Sequence, residues 1–377
     1  MPLHRVFLAP GFFGFTNLGD FGYWAHVRDR LMETFARRRV RAEIHYVPTL
    51  PTSSLDRRAA RLLETVARHV QGDDEVHLVG HSTGGLDARL LASPSARIPT
   101  PLEVAPIRDR IRTVISVATP HHGAPVAAFF TGLQGQKLLR AISMVTIAGI
   151  RLGSVPLPAL LELVGAIPAL PGRGLFAPRA GTLLDQVYRL VLKDFDPERQ
   201  RQIEAYFQGA FDDQTLLLQL TPEAMQLFEA LTPRHPNVRY GSVVVRAPAP
   251  SFAQVVRTGL RPIQQAQYAL YRSLHVLSAG FRDTHLPVLD QEQRDALVTA
   301  FGEVPGPHDS DGMVPTRSQV WGDVLHGVVG DHLDVIGHFH APELSPKHVD
   351  WLRTGSGFDR ERFETLWDHV AHYVADA

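Results

Sequence analysis

The sequence predicts an α/β protein with a mostly parallel central sheet flanked by helices. Three observations support this fold class: short apolar runs, helical periodicity between the first of them, and a Gly-x-Ser-x-Gly motif that directly follows one run. The runs lie at residues 6–8, 76–79, 111–117 and 243–245. Their length and continuous apolar character are typical of strands buried on both faces. In such sheets, ligand sites lie at the carboxyl ends of the strands.

Two segments between the first strands have helical periodicity. The first covers residues 24–35. The second begins after Ser53, which stands three residues before Asp56 and is a candidate capping box. Its apolar residues recur at helical spacing and would cover the sheet; they are Leu55, Ala59, Leu62, Leu63, Val66, Ala67 and Val70.

Two insertions interrupt the alternation of strands and helices. Residues 124–236 are rich in Leu, Ala, Pro and Gly, and we interpret them as an inserted helical lid or cap, with a separate helical domain as the alternative. Residues 248–306 form a second insertion, mostly helical by pattern, and an amphipathic helix around Trp367 closes the chain. The predicted domains are therefore a core of residues 1–123 and 237–377, and a lid region of residues 124–236.

Composition excludes several classes of function. The 377 residues are 44% hydrophobic and 20% charged, as in a globular protein with a large core, and the formal charge of -1 provides no net field to recruit nucleic acid. The absence of cysteine excludes disulfides, thiol catalysis and cysteine-ligated metals. The most apolar region, residues 141–172, is broken by Arg151 and Glu162 into stretches too short for a transmembrane segment.

The amino-terminal stretch runs directly into a predicted strand. It lacks the basic start, apolar stretch and small-residue cleavage site of a secretory signal. These features favour a cytoplasmic location.

The Gly-x-Ser-x-Gly motif at residues 80–84 follows the apolar run 76–79 and precedes a helix expected near Leu86. A strand, this motif and a helix together are typical of a nucleophile elbow, in which the serine stands on a tight, strained turn. Gly80 and Gly84 would let the strand and the helix approach closely. Ser82 is therefore the candidate nucleophile, and an ordinary strand-to-helix turn is the alternative.

A serine hydroxyl needs a histidine base, and the histidine needs an acid that fixes its tautomer. For this motif the expected chain order is serine, acid, histidine. Asp311 lies in a loop rich in Gly and Pro, and His332 follows it, so the two fit the order. Asp309 is the alternative acid.

Acyl chemistry also needs N–H donors for the oxyanion of the tetrahedral intermediate. The backbone N–H of Thr83, directly after the candidate nucleophile, would supply one. The amide of Phe12 would supply the second, because Gly11 permits a turn in the loop of residues 10–14. The alternative for this loop is a turn that merely packs two phenylalanine rings. Residues 119–123 should lie near the site, with His121 and His122 as structural residues.

Taken together, these motifs resemble the bacterial true lipases of the α/β-hydrolase fold, most closely the calcium-dependent triacylglycerol lipases. The resemblance implies the roles given above for Ser82, Asp311, His332, Phe12 and Thr83. Pro10 replaces the histidine with which the family usually opens its oxyanion loop. The matching blocks are collinear and lie at residues 10–15, 23–24, 53–56, 80–85, 118–124, 310–314 and 332–334.

The resemblance further implies a mobile helical lid after Gly123 that opens onto an acyl pocket; ordinary core packing is the alternative. Substrate contacts are expected at four residues, which are Phe13, His81, Leu160 and Leu163.

In the family, an Asp two residues after the catalytic histidine helps to hold a calcium ion. Here this residue is Asp334, but His338 stands where the pattern has a glutamine, and the sequence identifies no second carboxylate. Calcium prefers several oxygen ligands, so a structural calcium ion is left open. The chemistry itself requires no cofactor.

The predicted function is a serine carboxylester hydrolase, lipase or esterase, that acts through an acyl-enzyme on Ser82. Its substrates would be small-molecule esters or lipids with medium or long acyl chains, and it would contact a lipid interface transiently. The alternatives are an acyltransferase that uses the same intermediate and a non-catalytic lipid-binding protein. Peptidase and lactonase activities share the same machinery.

Overall fold

A six-stranded, fully parallel sheet forms the centre of the protein, as the sequence predicted. The structure is a computed structural model, and it describes residues 2–12, 23–50, 52–131, 197–198, 201, 215–341 and 350–377. The strand order is β2-β1-β3-β4-β5-β6, with parallel pairing throughout. The strands are β1 (His4–Ala9), β2 (Ala42–Tyr46), β3 (Glu75–His81), β4 (Ile111–Val117), β5 (Arg239–Arg246) and β6 (Asp323–Val329).

The four predicted apolar runs all lie in strands, and the two strands that the sequence analysis missed lie at the ends of this sheet. In β2 only Ile44 is buried, and in β6 only Val328 is buried. An edge strand that is partly exposed carries no continuous apolar run. The periodicity that revealed the central strands is therefore absent from β2 and β6.

Helices cover both faces of the sheet. Val6 and Val79 pack in one buried cluster with residues of the helices at 27–37 and 360–375. Phe7 and Leu78 pack in another cluster with residues of the helices at 55–69 and 83–92. Successive residues of one strand thus point into the two cores on opposite faces of the sheet. The described helices are α1 (Val27–Arg37), α2 (Leu55–His69), α3 (Thr83–Ala92), α4 (Ala105–Arg108), α5 (Pro125–Thr131), α6 (Thr215–Gln219), α7 (Pro222–Leu231), α8 (Phe252–Arg257), α9 (Pro262–Ser278), α10 (Gln291–Phe301) and α11 (Arg360–Ala375).

The predicted capping box at Ser53 is wrong by one residue. The N-cap of α2 is Ser54, and its side chain makes no capping hydrogen bond. Instead, the backbone N–H of Leu55 donates to Oε1 of Gln219, 2.8 Å away. Gln219, from a distant part of the chain, thus satisfies one of the N–H groups at the start of α2 that have no partner within the helix.

The second insertion, residues 248–306, contains α8, α9 and α10, in agreement with its helical pattern. Most of the predicted lid region lies outside the described residues, Leu160 and Leu163 included. The proposed division into core and lid therefore stays a prediction. Among the residues that the structure describes, no helix is long and apolar enough to cross a lipid bilayer.

Candidate active site

Ser82 stands on a strained turn between β3 and α3. Its backbone has φ 54° and ψ −129°, a region that costs free energy for a residue with a side chain. Close packing fixes the turn: a Cβ atom on Gly80 would lie 2.2 Å from the carbonyl carbon of Gly84, and one on Gly84 would lie 2.1 Å from the carbonyl oxygen of Ala9. Glycine is therefore required on both sides of Ser82. This is the predicted elbow geometry.

Asp311 and His332 form a buried pair. Oδ2 of Asp311 lies 2.7 Å from Nδ1 of His332, and both side chains are almost completely buried. The other carboxylate oxygen accepts the backbone N–H groups of Met313 and Val314, at 2.9 and 2.7 Å. The side-chain amide of Gln319 donates to Oδ2. These donors orient the carboxylate so that it faces the imidazole.

The alternative acid, Asp309, points elsewhere. Its carboxylate accepts from Nε of Arg246 at 3.0 Å and from the backbone N–H of Gly306 at 2.7 Å. Its contacts belong to an ion pair and a turn. Of the two acids, Asp311 is the one that contacts His332.

A chain of hydrogen bonds connects the loop of Gly11 to the backbone of His332. Nε2 of His81 lies 2.8 Å from the carbonyl oxygen of His332, which only accepts, so Nε2 carries the proton. Burial lowers the pKa of His81 well below its usual value, which keeps the ring neutral. Nδ1 of His81 therefore accepts from the hydroxyl of Tyr23, 2.6 Å away. The hydroxyl oxygen of Tyr23 in turn accepts the N–H of Gly11 at 2.7 Å.

This chain corrects the expectation that His81 contacts substrate. The side chain is fully buried, both ring nitrogens are used within the protein, and the ring centroid lies 4.6 Å from that of His332. His81 is thus a link behind Ser82. Sequence reasoning missed Tyr23 as its partner, although Tyr23 and Trp24 belonged to a motif block.

Of the two predicted oxyanion donors, Thr83 directly follows Ser82, and Phe12 belongs to the loop that packs against the turn of Ser82. Thr83 is the first residue of α3, so its N–H has no partner within the helix. The loop of Gly11 packs against the elbow, because a Cβ atom on Gly11 would lie 2.6 Å from Cβ of Ser82. Phe12 packs its ring against the apolar cluster that contains Leu86. Phe13, the other aromatic residue of the loop, lies outside the described residues.

A buried ion pair holds the start of the same loop. Nε of Arg58 in α2 lies 3.0 Å from each carboxylate oxygen of Asp87 in α3, and its Nη2 donates to the carbonyl oxygen of Pro10 at 2.9 Å. Burial raises the pKa of Asp87 to about 6, although the positive charge of Arg58 acts to lower it. The sequence did carry a signal for this pair, since Arg58 lies on the apolar face of α2, three residues after Leu55.

The histidines of segment 119–123 have structural contacts, as predicted. Nε2 of His121 lies 2.9 Å from Oγ of Ser116, and the ring stacks on Trp321. The backbone N–H of His122 donates to Oγ of Ser318. Burial lowers the pKa of both histidines.

Three carboxylates cluster directly beside His332. Ligand oxygens of Asp331, Asp334 and Asp350 lie within 4.8 Å of one another, and Oδ2 of Asp331 has no hydrogen-bond partner among the described residues. Burial and the neighbouring carboxylates raise the pKa of Asp331 and Asp334, and burial raises that of Asp350 to about 7. A set of mutually repelling carboxylates, two buried and one partly buried, fits a hard divalent cation such as calcium. The sequence had identified only Asp334.

Comparisons with known proteins concern the fold and the resemblance to lipases. No family model matches the chain. A triacylglycerol lipase of Pseudomonas fragi is 28% identical over 148 residues, which cover 37% of this chain and 44% of that protein. The aligned segment thus spans less than half of that relative.

Among solved structures, EstA from Clostridium botulinum matches with a TM-score of 0.53 and 17% identity, covering 99% of this chain and 87% of EstA. Lipase 1 from Pelosinus fermentans matches with a TM-score of 0.50 and 14% identity over 100% of both chains. The chain therefore has the α/β-hydrolase fold, and the resemblance to bacterial lipases that its sequence motifs indicate is confirmed.

Proposed function

We propose that the protein is a serine carboxylester hydrolase, a lipase or esterase, with Ser82 as nucleophile. The observation that carries this proposal is the strained turn of Ser82, where the preceding residue His81 hydrogen-bonds to the backbone of His332 in its buried pair with Asp311. The name of the Pseudomonas fragi relative, a triacylglycerol lipase, supports the same reaction class.

In the proposed mechanism, Nε2 of His332 takes the hydroxyl proton of Ser82 while Oγ attacks the ester carbonyl carbon. Asp311 accepts the Nδ1–H of His332, which fixes the tautomer and stabilises the imidazolium. The backbone N–H groups of Phe12 and Thr83 donate to the oxyanion. His332 then protonates the departing alcohol. A water molecule, deprotonated by His332, attacks the acyl-enzyme, and the acid leaves as Ser82 regains its proton.

An active-site titration tests this assignment. A fluorophosphonate should label the protein once, and mass spectrometry should place the adduct on Ser82. Ser82→Ala should lose both the label and the turnover of p-nitrophenyl esters, whereas Ser95→Ala, which changes an exposed serine, should keep both. An adduct at another residue, or full turnover by Ser82→Ala, would contradict the proposal. Product analysis with added alcohol separates hydrolysis from acyl transfer.

We further propose a preference for medium or long acyl chains, with transient contact to a lipid interface. The reason is the apolar segment that includes Leu160, Leu163 and Ile167, which lies outside the described residues. Each buried methylene would contribute roughly 0.8 kcal/mol. Values of kcat/KM should rise from acetate to longer esters, and changing these three residues to Ser should flatten the profile. A preference for acetate would show that the acyl pocket is small.

We also propose that Asp331, Asp334 and Asp350 hold a calcium ion that stabilises the loop of His332. The ion would neutralise the mutual repulsion of the three carboxylates and would take no part in the reaction. Calcium should raise the melting temperature, and a chelator should lower it. Asp350→Asn should reduce this response, whereas the exposed Asp376→Asn should retain it. A melting temperature that responds to neither calcium nor chelator would contradict the proposal.

A further inference from the structure

A second cluster of metal-ligating side chains lies at the opposite end of the sheet. His4 is the first residue of β1, and Glu75 and His77 lie at the start of β3. Nδ1 of His4 lies 3.0 Å from Nε2 of His77 and 3.5 Å from Oε2 of Glu75. The candidate nucleophile follows the far end of β3, roughly 20 Å away at the rise of a strand. The cluster is therefore separate from the candidate active site.

Strand register brings the three side chains together. His4 pairs with Glu75, and Val6 pairs with His77. Residues that alternate along a strand share a face, so Glu75 and His77 point to the same side of the sheet as their partners on β1. The backbone holds this arrangement, because the N–H of Glu75 donates to the carbonyl oxygen of Leu3 at 3.0 Å. The ligand atoms are thus placed by the pairing of β1 with β3.

A third strand orients the buried imidazole. His77 pairs with Thr113 of β4, and its Nδ1 lies 2.9 Å from Oγ1 of Thr113. When Nδ1–H donates to this hydroxyl, the lone pair of Nε2 points toward His4. A hydrogen bond from the second ring nitrogen to a polar group is the arrangement that fixes histidine ligands in metal sites.

The separations from His4 to the other two ligand atoms fit zinc, and all three ligand atoms lie within 4.8 Å of one another. Zinc bonds to imidazole nitrogen and carboxylate oxygen are about 2.0–2.2 Å long, so two ligands of a tetrahedral ion lie about 3.3 Å apart. The observed separations of 3.0 and 3.5 Å lie on either side of this value. Two nitrogens and one oxygen are a donor set that suits zinc better than calcium. His77 is fully buried, whereas His4 and Glu75 are partly exposed, which leaves a path for the ion and for a water ligand.

The carboxylate of Glu75 lies between the guanidinium of Arg112 and the imidazole of His4. Nε of Arg112 lies 3.4 Å from Oε1 of Glu75, whereas Oε2 faces His4. The guanidinium also donates from Nη1 to the carbonyl oxygen of Asp109 at 2.9 Å, which holds it to the turn that precedes β4. One carboxylate oxygen thus serves the ion pair and the other remains directed at the imidazoles. Arg112 nevertheless opposes a second cation, so its removal should strengthen metal binding.

We propose that His4, Glu75 and His77 form a zinc-binding site that joins β1 to β3 at the amino edge of the sheet. The ion takes the position of the proton shared by the two imidazoles, and that proton passes to solvent. The site is structural, and it adds a link between strands that backbone hydrogen bonds already pair. It does not depend on the proposed hydrolase activity.

Isothermal titration of the untagged protein with Zn²⁺, in excess calcium, tests the proposal. The wild type should bind one ion per chain and gain melting temperature. His4→Gln and Glu75→Gln should each lose this binding, and Thr113→Val should weaken it by about 10–100-fold. Arg112→Gln should bind Zn²⁺ more tightly. Ester turnover without zinc should remain in His4→Gln, which shows that the variant is folded.

His369→Gln is the matched control. His369 of α11 stacks on His326 of β6 with ring centroids 4.6 Å apart, so the substitution changes another pair of imidazoles away from the cluster. It should bind Zn²⁺ like the wild type. The visible absorption of added Co²⁺ gives a second readout, because a four-coordinate site yields an intense spectrum that His4→Gln should lack. No zinc binding by the wild type, or equal binding by His4→Gln and Glu75→Gln, would overturn the proposal.

Discussion

The hydroxyl of Tyr23 should matter for turnover although it contacts no proposed reacting atom. Tyr23→Phe removes one oxygen that accepts the N–H of Gly11 and donates to Nδ1 of His81. Two buried groups then lose their partners. Leaving a buried polar group unpaired costs about 1–3 kcal/mol, so the two losses together destabilise the local structure by about 2–6 kcal/mol. A fraction of this free energy, lost through poorer positioning of the loop of Gly11, is enough to slow the reaction.

We expect kcat for a p-nitrophenyl ester to fall at least about tenfold, which corresponds to about 1.4 kcal/mol of the activation barrier. KM should change little, because an oxyanion donor acts mainly in the transition state. The assay is steady-state hydrolysis, accompanied by urea unfolding of the same preparation. The free energy of unfolding shows how much of the lost interaction falls on stability.

Tyr240→Phe is the matched control for this experiment. The hydroxyl of Tyr240 accepts the backbone N–H of His235 at 2.7 Å, and its side chain is buried. The chemical change is the same, but it occurs at the amino end of β5. It should lower stability and leave kcat near that of the wild type. Equal losses of kcat in both variants, or an unchanged kcat in Tyr23→Phe, would refute the role of the hydrogen-bond chain.

Three further predictions follow from the geometry. Asp311→Asn should lower kcat by about 10³–10⁴-fold with little change in KM, whereas Asp309→Asn should remain active; similar activity in both would reject the assignment of the acid. Gly84→Ala should reduce melting temperature and soluble yield, because its Cβ would lie 2.1 Å from a backbone oxygen, while Gly280→Ala, with 3.7 Å to its nearest neighbour, should not. The pKa of His122 is lowered by burial to about 4, so its contribution to stability is complete above about pH 6.5 and is lost as pH falls toward 4, by up to about 3 kcal/mol. Urea midpoints at pH 7 and pH 4.5 should therefore differ less in His122→Gln than in the wild type, and equal differences would contradict this.

The part of the fold that the sequence predicted is the part encoded by neighbouring residues. The central strands are continuous apolar runs. The turn of Ser82 is a local motif, and its glycines are required because a Cβ atom on Gly84 would lie 2.1 Å from a backbone oxygen. The edge strand β2 exposes most of its residues, so it lacks that signature. Patterns within one segment therefore revealed the sheet centre and the nucleophile turn, and failed where burial is partial.

The supporting residues of the site could not be predicted in the same way. Tyr23 meets His81 across 58 positions of the chain, and Arg58 meets Asp87 across 29. No local pattern encodes such pairs, because their spacing is set by the packing of separate elements. The position of Arg58 on the apolar face of α2 indicated only that it pairs with some buried acidic residue.

The same pairs explain how the proposed oxyanion loop, at residues 10–12, is held when a proline opens it. Proline has no N–H to donate, and its fixed φ restricts the turn without anchoring it to the sheet. Arg58 binds the carbonyl oxygen of Pro10, and Tyr23 binds the N–H of Gly11, so two consecutive residues are held by two separate side chains. Arg58 is buried and Tyr23 is partly buried, and both extend to the elements around Ser82: Arg58 to Asp87 of α3, and Tyr23 to His81 of β3. The loop and the nucleophile turn are therefore fixed relative to each other by side chains that never need to touch the substrate.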